Sequence, residues 1–170
     1  MLEIVYDREY RPTEVQIRSY YNLLRSPQQM TWEYSDDFGF LRKSVDELAA
    51  TYAATRRTDR HEIWAVEGQR IVGYAGLEPF AKVEKRHTAE LGFGVAEDRV
   101  RRGIGFRVVL AAVAKARELG FKRVEGDCLA DNVASARLFR KAGFVEEGMR
   151  HGAIEKNGRL YDLRLFGLVL

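Results

Sequence analysis

The chain has 170 residues, 46% hydrophobic and 31% charged, with a net charge of +3. That length suits a single domain, expected over residues 1–170, and the composition is that of an ordinary soluble protein with a buried core. The small basic excess argues against a nucleic-acid partner, no apolar run is long enough to span a membrane, Met1–Asp7 lacks the basic and apolar regions of a signal peptide, and the lone Cys128 excludes an internal disulfide, so a cytoplasmic protein is expected.

Leu2 to Tyr10 is rich in β-formers and reads as a first strand. Pro12 suits the first turn of a helix running to about Arg25, and Ser26-Pro27 stops it. Residues 28–40 place Trp32, Tyr34, Phe38 and Phe40 among Glu33, Asp36 and Asp37. This stretch is either a packed loop with a solvated acidic rim or an acceptor loop whose carboxylates attract a cationic amine. A second helix is expected from about Leu41 to Thr55, with Ser44 and Glu47 at capping-box spacing for a later start. Glu62–Glu67 and Arg70–Glu78 read as strands joined by the tight Gly68-Gln69 turn. After a charged loop, Thr88–Val95 is a fourth strand.

The run from Phe106 to Leu119 lacks proline and glycine and is rich in helix formers, and Gly120 stands where a left-handed cap belongs. Lys122–Cys128 is β-like, Ala130-Asp131-Asn132 is a turn with capping chemistry, and a helix follows from Val133 to Ala142, ended by Gly143. Phe144–Met149 and Gly158–Val169 read as two strands turning at Lys156-Asn157-Gly158. Antiparallel strands, then a β–α–β–α stretch, then a hairpin imply a mixed sheet with helices on its faces.

Gly103-Ile104-Gly105 separates the fourth strand from the long helix. Alone it is either a tight turn or an anion cradle, in which backbone N–H groups and the positive end of a helix meet a phosphate. It is not a Walker loop, since Phe106-Arg107 follows Gly105, nor a dinucleotide fingerprint, since the third glycine position is Val108.

Taken with more distant positions, the pattern is specific. Val100-Arg101-Arg102-Gly103-Ile104-Gly105 resembles the Gln/Arg-x-x-Gly-x-Gly/Ala run of the GNAT N-acetyltransferase family, departing from it at Val100. Asn132, Leu138-Phe139 and Gly143-Phe144 match its later asparagine, Leu-Tyr and Gly-Phe positions. The resemblance implies an α/β fold with about seven strands, mostly antiparallel, splayed between the fourth and fifth and flanked by about four helices. It implies acetyl-CoA as co-substrate and a primary amine as acceptor, and it leaves a homodimer open. Gly158–Asp162 looks like members that acetylate small amines or protein N-termini.

By the same resemblance, the backbone of Phe93, Gly94 and Val95 pairs with pantetheine, and the N–H groups from Val100, Arg101 and Arg102 through Gly103, Ile104, Gly105 and Phe106 take the pyrophosphate. Arg101 and Arg102 are otherwise two solvated charges, and Asn132 either bonds the cofactor arm or caps its helix. Phe139 occupies a cofactor-side position where many relatives carry an acidic tyrosine, which leaves Tyr161 or water to protonate the thiolate. Glu90 lies 13 residues before Gly103, the spacing of the base glutamate in histone-acetylating relatives. Its other reading is a strand carboxylate paired with an arginine. A bulge in the fourth strand is expected to free an oxyanion-binding N–H. Cys128 reads as a small core residue, and His61, His87 and His151 are too scattered for a metal site. The rival from another class is an acyl-CoA-binding sensor or scaffold without catalysis.

Overall fold

In the computed structural model, the described residues are 1–26, 44–47, 49 and 60–170. Seven strands form one sheet in the order β1-β2-β3-β4-β5-β7-β6. They are β1 (Leu2–Tyr6), β2 (His61–Glu67), β3 (Arg70–Pro79), β4 (Thr88–Val95), β5 (Arg123–Leu129), β6 (Val145–Lys156) and β7 (Arg159–Val169). Every neighbouring pair is antiparallel except β4 with β5. Among the described residues, the helices that flank the sheet are α1 (Glu14–Leu24), α2 (Ile104–Glu118) and α3 (Val133–Lys141).

α1 begins two residues later than proline placement predicts. Thr13 Oγ1 accepts from the Gln16 N–H at 3.2 Å, and the Gln16 side chain accepts from the Thr13 N–H at 2.9 Å. This reciprocal cap satisfies two orphan donors, which a proline in the first turn cannot do. Ser44 and Glu47 form the same kind of box at 2.6 and 3.1 Å ahead of a helical turn at 45–47.

α1 and α2 cover opposite faces of the sheet. Tyr20 of α1 meets Trp64 and Tyr74, with ring centroids 5.6 Å apart in each case. Trp64 and Tyr74 are directly paired across β2 and β3 and so share a face. The next residue, Gly73, faces the other way, and Ile104 of α2 comes so close that a Cβ on Gly73 would lie 2.7 Å from it. Val108, Val109, Ala112 and Ala116 continue that contact, all at 0% exposure, in helical spacing.

The feature that positions the site is the parting of β4 from β5. They pair only at Thr88–Glu90 with Arg123–Glu125. Under the gap lies a cluster of aromatic rings: Phe139 of α3 stacks on Phe166 at 4.7 Å and meets Phe93 and Phe144 edge-on at 5.4 and 5.1 Å. Gly126 gives this cluster room, because a Cβ there would lie 2.8 Å from the Leu91 carbonyl oxygen and 2.9 Å from Phe139 Cζ. Gly126→Ala is therefore expected to destabilise the fold by about 1–3 kcal/mol through overpacking. Urea unfolding measures it, and an unchanged midpoint would show that β5 can shift without cost.

Candidate active site

The gap opens into a cleft of about 570 Å3 that runs from β3 and β4, through the parted strands, to the N-terminus of α2 and the face of α3. Its middle wall is backbone. The Phe80 N–H donates to the Thr88 carbonyl and the Ala96 N–H to that of Val72, so the even-numbered residues of β4 direct their peptide groups to β3. By alternation, the peptide groups of Leu91, Phe93 and Val95 face the gap, where β5 no longer pairs with them. Buried peptide groups need partners, so this edge is suited to an extended ligand that carries amides. The β3–β4 register is unbroken from Gly73↔Val95 to Pro79↔Ala89. The expected bulge in β4 is absent, and divergence of the two strands frees the N–H groups instead.

At one end of the cleft, Arg101 with φ of 60° and Gly103 with φ of 76° turn the chain into α2. Gly103 caps this helix without a side-chain bond, and Arg107 is the first residue to return a bond to the Gly103 carbonyl, at 3.1 Å. The N–H groups of Ile104, Gly105 and Phe106 therefore lack intrahelical acceptors, and no acidic residue occupies the first turn. Arg101, Arg137 and Lys141 add positive charge to the lining. Lys141 Nζ stands 4.5 Å from the centre of the Phe106 ring.

Gly105 serves packing as well. A Cβ there would lie 2.9 Å from Leu138 Cδ1 and 3.3 Å from Val95 Cγ2. A bulky residue at 105 would disturb the junction of α2, α3 and β4 as well as any ligand.

At the other end, Glu78, Glu90 and Glu125 form one transverse row, since Glu90 is in register with Glu78 on β3 and with Glu125 on β5. Paired residues in register point to the same face. Both flanking carboxylates have cations: Arg60 Nη1 is 3.7 Å from Glu78, and Lys85 Nζ and Arg123 Nε lie 2.9 and 3.2 Å from Glu125. Glu90 has no hydrogen bond or ion pair among the described residues, so the arginine-paired reading of it does not hold there. Desolvation, and then the Glu78 and Glu125 charges, hold its carboxyl above the usual range, against Lys85 and Arg150.

Most sequence candidates meet in this cleft. Glu90, Phe93, Gly94, Val95, Val100, Arg101, Gly103, Ile104, Gly105, Phe106 and Asn132 all line it. Asn132 also caps α3, accepting from the Ser135 N–H at 3.1 Å. Three candidates stand elsewhere. Arg102 is exposed outside the lining, and Phe139, 1% exposed, lies in the aromatic cluster beneath it. Tyr161 pairs with Ile154 on the β6–β7 ribbon, under Arg159 at 4.8 Å. Glu33, Asp36 and Asp37 lie outside the described residues.

Cys128 lines the cleft and is 5% exposed, and burial pushes its thiol up to about 11, which leaves it a poor nucleophile at neutral pH. Among the described residues, no group of three His, Cys, Asp or Glu side chains is placed to hold a metal ion, and no helix is long and apolar enough to cross a membrane.

The lining also includes residues that were not among the sequence's site candidates, although Leu138 was part of the family match. Ala134, Arg137, Leu138 and Lys141 form a stripe at helical spacing on α3, readable once Asn132 is taken as the cap. Arg60 and Glu78 leave no comparable trace, because they reach the cleft through strand register.

An open mixed sheet whose one parallel pair diverges in front of a helix N-terminus sets a free backbone edge and an anion cradle in one cleft. The chain belongs to the acetyltransferase (GNAT) family, whose family model matches residues 19–144. YoaA of Bacillus subtilis (strain 168), an uncharacterized N-acetyltransferase, is 29% identical over 126 residues, covering 72% of this chain and 70% of YoaA. Among solved structures, yncA of Salmonella typhimurium, determined with its cofactor acetyl-CoA, superposes with a TM-score of 0.77 at 20% identity over 100% of this chain and 94% of that one. An N-acetyltransferase of Staphylococcus aureus Mu50 gives 0.76 at 18% identity, covering 99% and 98%.

Proposed function

We propose that the protein transfers the acetyl group of acetyl-CoA to a primary amine by direct attack, the acceptor being a small-molecule amine or a protein N-terminus. The cofactor part is supported by the fit between ligand and cleft. The freed peptide groups of Leu91, Phe93 and Val95 suit the pantetheine amides, and the bare first turn of α2 with Arg101 suits the pyrophosphate. Arg137 and Lys141 widen the same positive field. Gly103 is the clean place to test it, since a Cβ there meets nothing within 4 Å. Asn and Asp both tolerate its left-handed conformation and differ mainly by one charge. Gly103→Asp is expected to weaken CoA binding at least tenfold more than Gly103→Asn, as read by calorimetry. Equal affinities of the two variants would remove the anion from this helix end.

The chemical part is carried by one observation: the Glu90 carboxylate, in the cleft next to where the strands part, has no hydrogen-bond or ion-pair partner among the described residues. Bound acetyl-CoA supplies an electrophilic thioester with a fair leaving group, a thiol of pKa about 8.5. An alkyl amine with a pKa of about 10.4 is almost wholly protonated at neutral pH. Glu90 removes that proton, directly or through a water, and its raised pKa makes it a better match to neutral pH than an ordinary glutamate. The freed N–H groups of β4 are available to the developing oxyanion. Direct attack needs no acyl-enzyme, in keeping with the protonated Cys128 thiol.

Glu90→Gln is expected to lower kcat/KM about 100-fold near pH 7 and progressively less at high pH, where the amine loses its proton unaided. The same change should raise stability. Because the folded-state pKa of Glu90 lies above the unfolded one, its ionisation opposes folding once the pH passes the unfolded value, so the gain in Tm should appear near pH 7 and vanish towards pH 4. A pH–rate profile unchanged in height and shape would leave Glu90 a purely structural carboxylate.

A further inference from the structure

Arg60 lines the acceptor end of the cleft, and the surrounding chain holds it in one pose. Its carbonyl accepts from Arg8 Nη2 at 2.8 Å, and its Nε donates to Glu62 at 2.6 Å. Glu62 is itself fixed, accepting from the Tyr20 hydroxyl at 3.0 Å while its N–H donates to Asp7 at 3.1 Å. The guanidinium then lies flat on the sheet over Gly76. A Cβ on Gly76 would come within 2.7, 3.0 and 3.2 Å of its Nη2, Nε and Cζ, so only glycine admits this pose. Nε serves Glu62 and Nη1 leans towards Glu78 at 3.7 Å, which leaves Nη2 without a hydrogen-bond partner among the described residues.

Gly76 is in register with Gly92, so Glu90 is its diagonal neighbour on the same face. Diagonal neighbours lie about 7–8 Å apart. With the guanidinium over Gly76 and the carboxylate projecting from Glu90 on the same face, the two flank one short stretch of the cleft, which suits a four-atom unit with a hydrogen bond at each end: an amine nitrogen, its carbon, a carbonyl carbon and its oxygen. Gly92 between them adds no side chain to block such a unit.

We propose that Arg60 selects the acceptor, donating from Nη2 to a carbonyl-type oxygen on the carbon next to the amine that faces Glu90. The recognised chemistry is the α-amino carbonyl group shared by a peptide N-terminus and a free amino acid, in contrast to a plain alkyl amine. The inference rests on the acetyl-transfer reading above.

The test follows CoA thiol release with acetyl-CoA and three acceptors of similar shape: L-alaninamide, L-alanine and isopropylamine. Two variants are compared with the wild type. Arg60→Lys keeps the charge and loses the fork, and Arg60→Gln with Glu62→Gln removes the buried pair together, so that no carboxylate is stranded. For each acceptor, the variant is measured against the wild type, so the acceptor's own basicity cancels. Relative to isopropylamine, kcat/KM for one or both carbonyl-bearing acceptors is expected to fall at least tenfold in both variants, mainly through KM. The larger loss on alaninamide assigns the site to a peptide N-terminus, and the larger loss on alanine to an amino acid. Equal losses on all three acceptors would reduce Arg60 to a partner for Glu62 and overturn the proposal. Wild-type protein that binds acetyl-CoA by calorimetry but releases no thiol with any of the three would overturn acetyl transfer itself, and this recognition with it.

Discussion

The structure depends on the early end of one strand pairing. β4 and β5 share a ladder for three residues and then separate, although each remains fully paired on its other side. A parallel ladder given up in mid-sheet leaves peptide groups without partners, which is costly unless water or a ligand replaces them. Phe139, held between Phe93 and Phe166, fills the volume beneath the gap and keeps the apolar side of the sheet packed. Gly126 is where ring and backbone come closest. The same divergence thus makes the binding edge and brings the first turn of α2 to one end of it.

The two ends of the cleft differ in how they are charged. At the α2 end, positive potential comes from peptide dipoles and exposed cations. At the acceptor end, the balance of charge is set by strand register, which lines up three carboxylates and gives the outer two their own cations. Against desolvation, hydrogen bonds from Lys85 and Arg123 hold the Glu125 carboxyl below the usual range. Desolvation, and then the Glu78 and Glu125 charges, raise Glu90. Glu146, which lacks that burial and accepts from Arg140 and Arg164, is pulled the other way.

How far the fold could be read from the sequence depended on how local each signal was. β4 was legible to the residue, and α2 and the Asn132 cap nearly so, because periodicity, glycine and capping chemistry act within a few positions. The start of α1 was misplaced because a Thr-x-x-Gln box outweighed a nearby proline. β6 runs seven residues past Met149, and that extension passes an irregularity in its pairing between Arg150 and Ile154, with positive φ at Gly152. Such irregular pairing breaks the alternation on which strand reading relies. In the site, most of the motif residues line one cleft, while Arg102 stands outside it and Phe139 beneath it. Glu78, Glu125 and Arg60 did not announce themselves, because their importance arises only when strands far apart in sequence come into register. Tyr161 and Phe139 were placed by analogy of role, and packing puts one on an exposed ribbon and the other under the cleft floor.

The departure at Val100 shows how the binding end tolerates change. A side-chain contact to a phosphate is typically worth a charge-assisted hydrogen bond, roughly twice a neutral one. Losing it leaves intact the three free N–H groups of Ile104, Gly105 and Phe106 and the helix dipole behind them, which depend on backbone geometry rather than on any one side chain. What that geometry requires is a chain able to turn through two left-handed residues, 101 and 103, immediately before the helix. Gly103 takes this conformation freely, and Arg101 takes it at a steric cost that glycine would not carry. In exchange, its side chain lines the cleft. The other end has no such backbone device: its charge rests on side chains at fixed register, so a single change of charge there alters the field at Glu90.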